Sequence, residues 1–290
     1  RHRPARYKRK RHRPDTAMVV ADHWTGFEER KVMAAMHVGI FAKTFSRGSV
    51  EDVLGAVAAH GIRSVQFNMA CAGVSSMPDT IDPTLARACA SQGIHMAAVS
   101  GTFNVIHPDD AQREAGLRRL DVLASACSAL RTRIITMSTG TRDPDNMWRR
   151  HPNNETPGAW RDLCTAMERA VQVAERHHVT LAIEPEVSNI VDTAAKARRL
   201  IDEIRSPRLR VLIDGANLFH AGELPRMREI LDEAFDLLGG AIVLAHAKDL
   251  SRDGDAGHEA AGTGLLDYDR YIALLDRIGY KGPLILHNLT

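Results

Sequence analysis

Cysteine is scarce in this chain. There are four in 290 residues (Cys71, Cys89, Cys127 and Cys164), scattered and with no CxxC pair. No apolar run approaches the roughly 18 residues of a membrane span, and no signal-peptide hydrophobic region is present. Together these absences predict reduced thiols in a soluble, cytoplasmic protein. No GxGxxG follows any strand-like run, so the signature of a dinucleotide-binding open sheet is missing. Acidic residues are missing from one place: residues 1–14 hold eight Lys/Arg and no Asp or Glu. The remainder then carries 30 basic against 36 acidic groups, so the net charge of +2 hides a mildly acidic body. That balance argues against a nucleic-acid-binding surface on the fold itself. The basic run cannot bury apolar area, and residues 1–32 read as a disordered tail. It is upstream sequence, a vector-derived extension, or an arm for nucleic acid or an acidic partner.

From Met36 onward, apolar runs and amphipathic stretches alternate. Strands are expected at 36–41, 64–68, 94–99, 133–138, 180–184, 209–214, 241–246 and 283–287. Helices are expected at about 49–60, 82–92, 109–129, 157–177, 192–204, 225–238 and 267–278. Ser49 is a fitting N-cap and Gly61 a fitting C-cap for the first helix. Eight strand signals alternating with helices predict an α/β protein, a (β/α)8 TIM barrel spanning 33–290 as one domain. No eighth helix follows the last strand, which predicts a truncated C-terminus. The uncovered apolar seam would favour association into a homo-oligomer.

Four of the strand-like runs end on a side chain that can bind a metal. They are Leu181-Ala182-Ile183-Glu184, Val211-Leu212-Ile213-Asp214, Val243-Leu244-Ala245-His246 and Leu284-Ile285-Leu286-His287. The intervals from 184 to 214, 214 to 246 and 246 to 287 each fit one strand plus one helix, which takes roughly 30 residues or more. Side chains alternate along a strand, so in a closed parallel barrel these four groups converge at the C-terminal mouth, where barrel enzymes keep their chemistry. Two carboxylates and two imidazoles there suit one divalent ion, Mn2+, Mg2+, Co2+ or Zn2+. Singly, each has a plainer reading. Glu184 can sit in a salt bridge, Asp214 can cap the turn at Gly215, and His287 can be a polar residue near a chain end.

The order of the segments LAIEPE, VLIDGANLF, AHAKDLSR, GTGLLDYDRYIALL and GYKGPLILH resembles the xylose isomerase-like TIM barrels of the sugar phosphate isomerase/epimerase superfamily. The resemblance runs over about 36–290 and is most specific over 180–290. It implies a divalent metal held by Glu184, Asp214 and His246, with His287 standing where the family places a fourth ligand, a glutamate. It also implies that the glutamates after strands 5 and 8 exchange the substrate proton, and this chain offers only Glu184 of that pair. Glu186, two residues on across Pro185, is the second candidate base.

Substrate contacts are expected from several further residues. Asn217 stands where many relatives carry a substrate-contacting histidine, and its amide can bind a hydroxyl or carbonyl oxygen. Lys248, in step with His246, and Arg252 can hold a carboxylate, phosphate or oxyanion. Asn104, in the segment Ser100-Gly101-Thr102-Phe103-Asn104, suits a polyhydroxylated ligand. His107 sits in a loop expected to overhang the mouth. Trp148 and Trp160 can pack on a sugar face or anchor a buried loop, and the second role fits an ordinary loop better. The reading is a metal-dependent isomerase or epimerase of a small hydroxy-carbonyl compound, a sugar or sugar derivative, acting through proton abstraction and an enediolate. Two alternatives remain. One is a non-catalytic sugar-binding barrel, and the other is a DNA-repair nuclease of the endonuclease IV kind, which shares this barrel.

Overall fold

The computed structural model describes residues 36–81, 84–254 and 257–287. The strands of a parallel barrel are covered on both faces, which is why the apolar runs are nearly continuous. Eight strands run parallel: β1 (His37–Phe41), β2 (Ser64–Phe67), β3 (His95–Ser100), β4 (Ile134–Ser138), β5 (Thr180–Glu184), β6 (Leu209–Asp214), β7 (Ile242–Asp249) and β9 (Pro283–Leu286). Neighbours pair in chain order, β7 pairs with β9, and β9 pairs with β1, so the sheet closes on itself. This is the expected (β/α)8 TIM barrel.

The first seven barrel strands are each followed by a helix: α1 (Val50–Ala59), α2 (Thr84–Ser91), α3 (Asp110–Ala126), α4 (Pro157–Arg176), α5 (Ala194–Ile204), α6 (Met227–Leu238) and α7 (Tyr268–Arg277). Their starts follow capping chemistry. The Ser49, Asp109, Thr156, Thr193 and Asp267 side chains each accept a backbone N–H of the first turn. Thr193 sets the start of α5 two residues later than its apolar pattern suggests. The expectations about the basic tail and the missing eighth helix fall on residues 1–35 and 288–290, outside the described residues. Among the described residues, no helix is long and apolar enough to cross a membrane.

Inward-facing Phe41, Ala97, Ala98, Ala182, Leu212, Leu244 and Ile285 form a compact apolar floor inside the barrel. Outward-facing residues such as Val211 and Ile213 join the larger core beneath the helices. The floor is tight. A Cβ on Gly39 would lie 2.6 Å from Ile285 Cδ1, so any larger residue there would push the Ile285 side chain aside.

Two differences from the sequence reading bear on the mouth. β7 runs three residues beyond its expected end, because β8 (Glu259–Ala260) folds back antiparallel on Lys248 and Asp249. A two-residue strand has no periodicity to read. In addition, α7 clamps the ends of β6 and β7. Tyr271 is fully buried, and its Oη lies 3.2 Å from the Ile213 carbonyl and 3.0 Å from the His246 carbonyl. Tyr268 Oη donates to the Lys248 carbonyl at 2.8 Å. Gly215 permits this approach, since a Cβ there would lie 3.2 Å from the Tyr271 ring.

Candidate active site

Strand alternation lifts one polar side chain above each part of the apolar floor. Glu184 stands two residues beyond Ala182, Asp214 beyond Leu212, His246 beyond Leu244, and His287 beyond Ile285. These groups meet on one side of the mouth. Glu184, His246 and His287 line a cavity of about 440 Å3, with Phe41, Lys43, Gln66, Ser100, Thr136, Ser138 and Trp148 among its other walls. A cavity of that size takes a small molecule, and its lining of hydroxyls, amides and one indole suits a polar one.

Asp214, His246 and His287 each offer a ligand atom, and these atoms lie within 4.8 Å of one another. All three side chains are buried. Asp214 uses Oδ1 to cap the following turn, accepting Ala216 N–H at 3.0 Å. Its Oδ2 has no hydrogen-bond partner, nor have His246 Nδ1 and both ring nitrogens of His287. Buried polar atoms left unpaired are costly, and a group of them aimed at one point calls for an ion or water there. The capping role read for Asp214 and its role as a ligand are therefore compatible, one oxygen serving each.

Gln66, at the end of β2, orients this cluster. Its Nε2 donates to Ser100 Oγ and Thr136 Oγ1, both at 3.2 Å, which turns Oε1 toward His246 Nε2 at 2.7 Å. The proton of a neutral His246 is thereby held on Nε2, and the Nδ1 lone pair faces Asp214 Oδ2 at 3.4 Å and Glu184 Oε1 at 3.6 Å. A lone pair facing two carboxylate oxygens is repulsive unless a cation or a proton lies between them. Metal-binding histidines are fixed in this way by an acceptor on the second nitrogen. The donor set therefore fits a divalent ion.

Without an ion, the same carboxylates draw positive charge to this point. Burial alone would raise the Glu184 pKa, but His246, Lys248 and the Asn217 amide outweigh it and bring it down to about 2. Burial would lower His246, yet Asp214 and Glu184 raise it above its ordinary value. Lys248 is likewise raised against its burial by Asp214, Glu184 and Glu186; its Nζ lies 3.4 Å from Asp214 Oδ2. His287 is pushed well below its ordinary value by burial and by the neighbouring His246, Lys248 and Lys43, which favours the neutral ring that a metal ligand needs.

The remaining sequence candidates divide. Asn217 is buried at the mouth and donates from Nδ2 to Glu184 Oε1 at 2.6 Å, so it touches the carboxylate directly. Glu186 is buried, accepts from Asn189 Nδ2 at 2.6 Å and does not line the cavity; burial raises its pKa. Asn104 braces two loops, donating to the Thr141 carbonyl at 2.8 Å and accepting Thr141 N–H at 3.0 Å. His107 holds its own loop: Nδ1 accepts Asp109 N–H at 3.0 Å, and Nε2 lies 3.1 Å from the Pro144 carbonyl. Arg252 is exposed on the loop after β7. Of the sequence candidates, Glu184, His246 and His287 line the cavity; Asp214 and Asn217 stand directly beside them and Lys248 pairs with Asp214, while Glu186, Asn104, His107 and Arg252 take no part in the lining.

The tryptophans divide as well. Trp160 is buried and donates from Nε1 to Glu203 at 2.8 Å, as a loop anchor would. Trp148 is not an anchor: it is 53% exposed and lines the cavity. Lys43, whose ammonium lies 4.6 Å from the Phe41 ring centroid, was not singled out by the sequence either. It lies in a short 3-10 turn at Ala42–Thr44, directly after β1, where strand alternation no longer applies and the sequence carried no periodic signal for it.

The xylose isomerase-like TIM-barrel family matches residues 54–288. Among curated proteins, the chain is 26% identical over 186 residues to L-ribulose-5-phosphate 3-epimerase UlaE of Shigella flexneri serotype 5b (strain 8401). That match covers 63% of this chain and 60% of the relative, so it spans less than two thirds of the relative's length. Among solved structures, an L-ribulose 3-epimerase superposes with TM-score 0.68 at 19% identity, covering 88% of this chain and 82% of its own. The IOLI protein with a bound zinc atom superposes with TM-score 0.66 at 16% identity, covering 87% and 89%. At those identities the superpositions speak for the fold, whereas the family match takes in the whole barrel apart from β1 and runs through all four strand-end residues. The chain belongs to the xylose isomerase-like TIM-barrel family.

Proposed function

We propose that this protein is a metal-dependent isomerase or epimerase of a small hydroxy-carbonyl compound, a sugar or sugar derivative. The observation that carries the reading is the convergence of Asp214, His246 and His287 beside the Glu184 carboxylate, with Glu184, His246 and His287 lining a polar cavity. The 26%-identical relative is an epimerase of a ketose phosphate, which supports the same class. A divalent ion held by Asp214, His246 and His287 would supply Lewis acidity at the substrate oxygens.

The chain's own residues supply the rest. Glu184 is ionised and borders the cavity, where it can take the proton from the carbon beside the carbonyl, leaving an enediolate. Asn217 fixes the carboxylate through Oε1, so one rotamer is presented. Ser100, Thr136 and Ser138 offer hydroxyls to a polyhydroxylated chain, and the Trp148 indole offers an apolar face. Lys43 and Lys248 add positive charge that would favour the anionic intermediate. Lys248 acts on it through Asp214, with which it is paired. Asn104 and His107 spend their polar groups on loop structure, so we give them no substrate contact.

His287 in place of a glutamate leaves one carboxylate base in the cavity lining. That favours a reaction in which Glu184 moves one proton between adjacent carbons. The same substitution also supports a competing reading, a barrel that binds sugar without converting it. The test is a screen of protein reconstituted with Mn2+, Mg2+, Co2+ or Zn2+ against L-ribulose, L-ribulose 5-phosphate and D-allulose, with products resolved by chromatography. Metal-dependent conversion of at least one is expected. Conversion that survives chelation, or tight binding with no conversion, contradicts the reading.

A further inference from the structure

We propose that the centre at this mouth is a two-histidine, one-carboxylate site of Asp214, His246 and His287. It would take borderline ions (Zn2+, Co2+, Fe2+) in preference to hard ones (Mg2+, Mn2+), with His287 setting the preference. The inference concerns the ion and not the reaction, so it holds whether or not Glu184 moves a proton. Three observations meet in it.

The first is the donor set. The converging atoms come from one carboxylate and two imidazoles, and all three side chains are more than nine-tenths buried. Glu184 lies outside that group, and its Oε1 is engaged by Asn217 at 2.6 Å. Oxygen-rich sites suit Mg2+ and Mn2+, whereas imidazole suits Zn2+ and Fe2+. A neutral histidine at 287 also removes one negative charge that a glutamate would contribute. Hard ions depend on that charge more than borderline ions do.

The second is the unpaired state of the atoms. His246 Nδ1 and both His287 nitrogens have no hydrogen-bond partner, and Asp214 Oδ2 has the Lys248 ammonium at 3.4 Å as an ion-pair neighbour. Both rings therefore have a nitrogen free to bind. The third is rigidity. The His246 and His287 ring centroids are 4.8 Å apart with planes inclined at 59°, and Phe41 packs 4.9 Å from His287. Gln66 fixes His246 from behind. Rings held in this way keep two nitrogens in place for one ion, which favours ions that bind nitrogen well.

The experiment uses the full chain, stripped of metal and titrated with Zn2+, Co2+, Mn2+ and Mg2+ against a competing chelator. One Zn2+ or Co2+ per chain is expected. His287→Glu should lower the ratio of Zn2+ to Mn2+ affinity by roughly tenfold or more and change the visible spectrum of bound Co2+. His287→Ala, checked for folding by circular dichroism, should weaken Zn2+ by roughly tenfold or more. Glu184→Gln should weaken it less than His287→Ala does. An unchanged Zn2+ to Mn2+ ratio in His287→Glu overturns the proposal. So does a Zn2+ affinity in His287→Ala equal to that of the parent, or failure of the parent to bind Zn2+ or Co2+ at one per chain. No substrate enters these measurements, so an inactive protein leaves them interpretable.

Discussion

Replacing Gln66 by leucine puts an apolar side chain of similar size in a buried position and removes three contacts at once. His246 Nε2 loses its acceptor at 2.7 Å, and Ser100 and Thr136 lose a donor at 3.2 Å each. The hydroxyls can rotate toward other acceptors. The imidazole N–H cannot, because the ring is buried. Leaving that donor unpaired costs the metal-free protein about 1–3 kcal/mol, which is a fall of several degrees in melting temperature. The ring also loses its reason to keep the Nδ1 lone pair toward Asp214. Loss of such a partner typically weakens metal binding about 10–100-fold, or about 1.4–2.7 kcal/mol. Isothermal titration of Zn2+ or Co2+ reads the affinity, and 15N NMR of the imidazoles reads the tautomer. Gln66→Glu still offers His246 an acceptor, so it should restore most of the affinity that leucine loses. A leucine variant with the parent's affinity and the parent's tautomer would refute the reasoning.

Two further effects are expected. Tyr271→Phe deletes the hydroxyl that joins α7 to the Ile213 and His246 carbonyls, and should cost about 1–3 kcal/mol in denaturant unfolding. Metal affinity should fall with it, because His246 loses its backbone clamp. The Arg149 guanidinium beside Asp143 holds that carboxyl well below the usual carboxylate range, and the pair braces the loop that carries Trp148. A depressed folded pKa stabilises above the ordinary carboxylate pKa and loses that contribution as pH falls toward the folded value. Asp143→Asn should therefore be less stable than the parent at neutral pH, and the gap should close in acid. Faster amide exchange over residues 141–154 at pH 7 would report it, and equal exchange would remove Asp143 from the account.

The four strand-end residues were legible in the sequence because alternation and repeat spacing carry the information. Each polar residue follows an apolar run in a fixed phase, so closing the barrel had to bring them together. What the phase cannot show is which atoms are already in use. Asn104 and Asn217 are the same residue type in the same kind of place, a loop after a strand. Yet one braces a backbone and the other holds Glu184. Gln66 was missed because it lies 180 residues from His246 in the chain, and a glutamine at a strand end has many plainer uses. The tryptophans differ for a related reason. Trp160 sits on the periodic face of α4, where burial is read from the pattern. Trp148 sits in an irregular loop that has no period.

The account turns on Glu184 acting as a base beside the three-residue centre. The direct test is exchange of the proton next to the carbonyl in L-ribulose and D-allulose, incubated in D2O with the metal-loaded protein and followed by proton NMR. The parent should introduce deuterium at that carbon into at least one of the two ketoses. Glu184→Gln should not, while still binding metal. Exchange in Glu184→Gln at the parent's rate, or none by the metal-loaded parent with either ketose, would contradict the account.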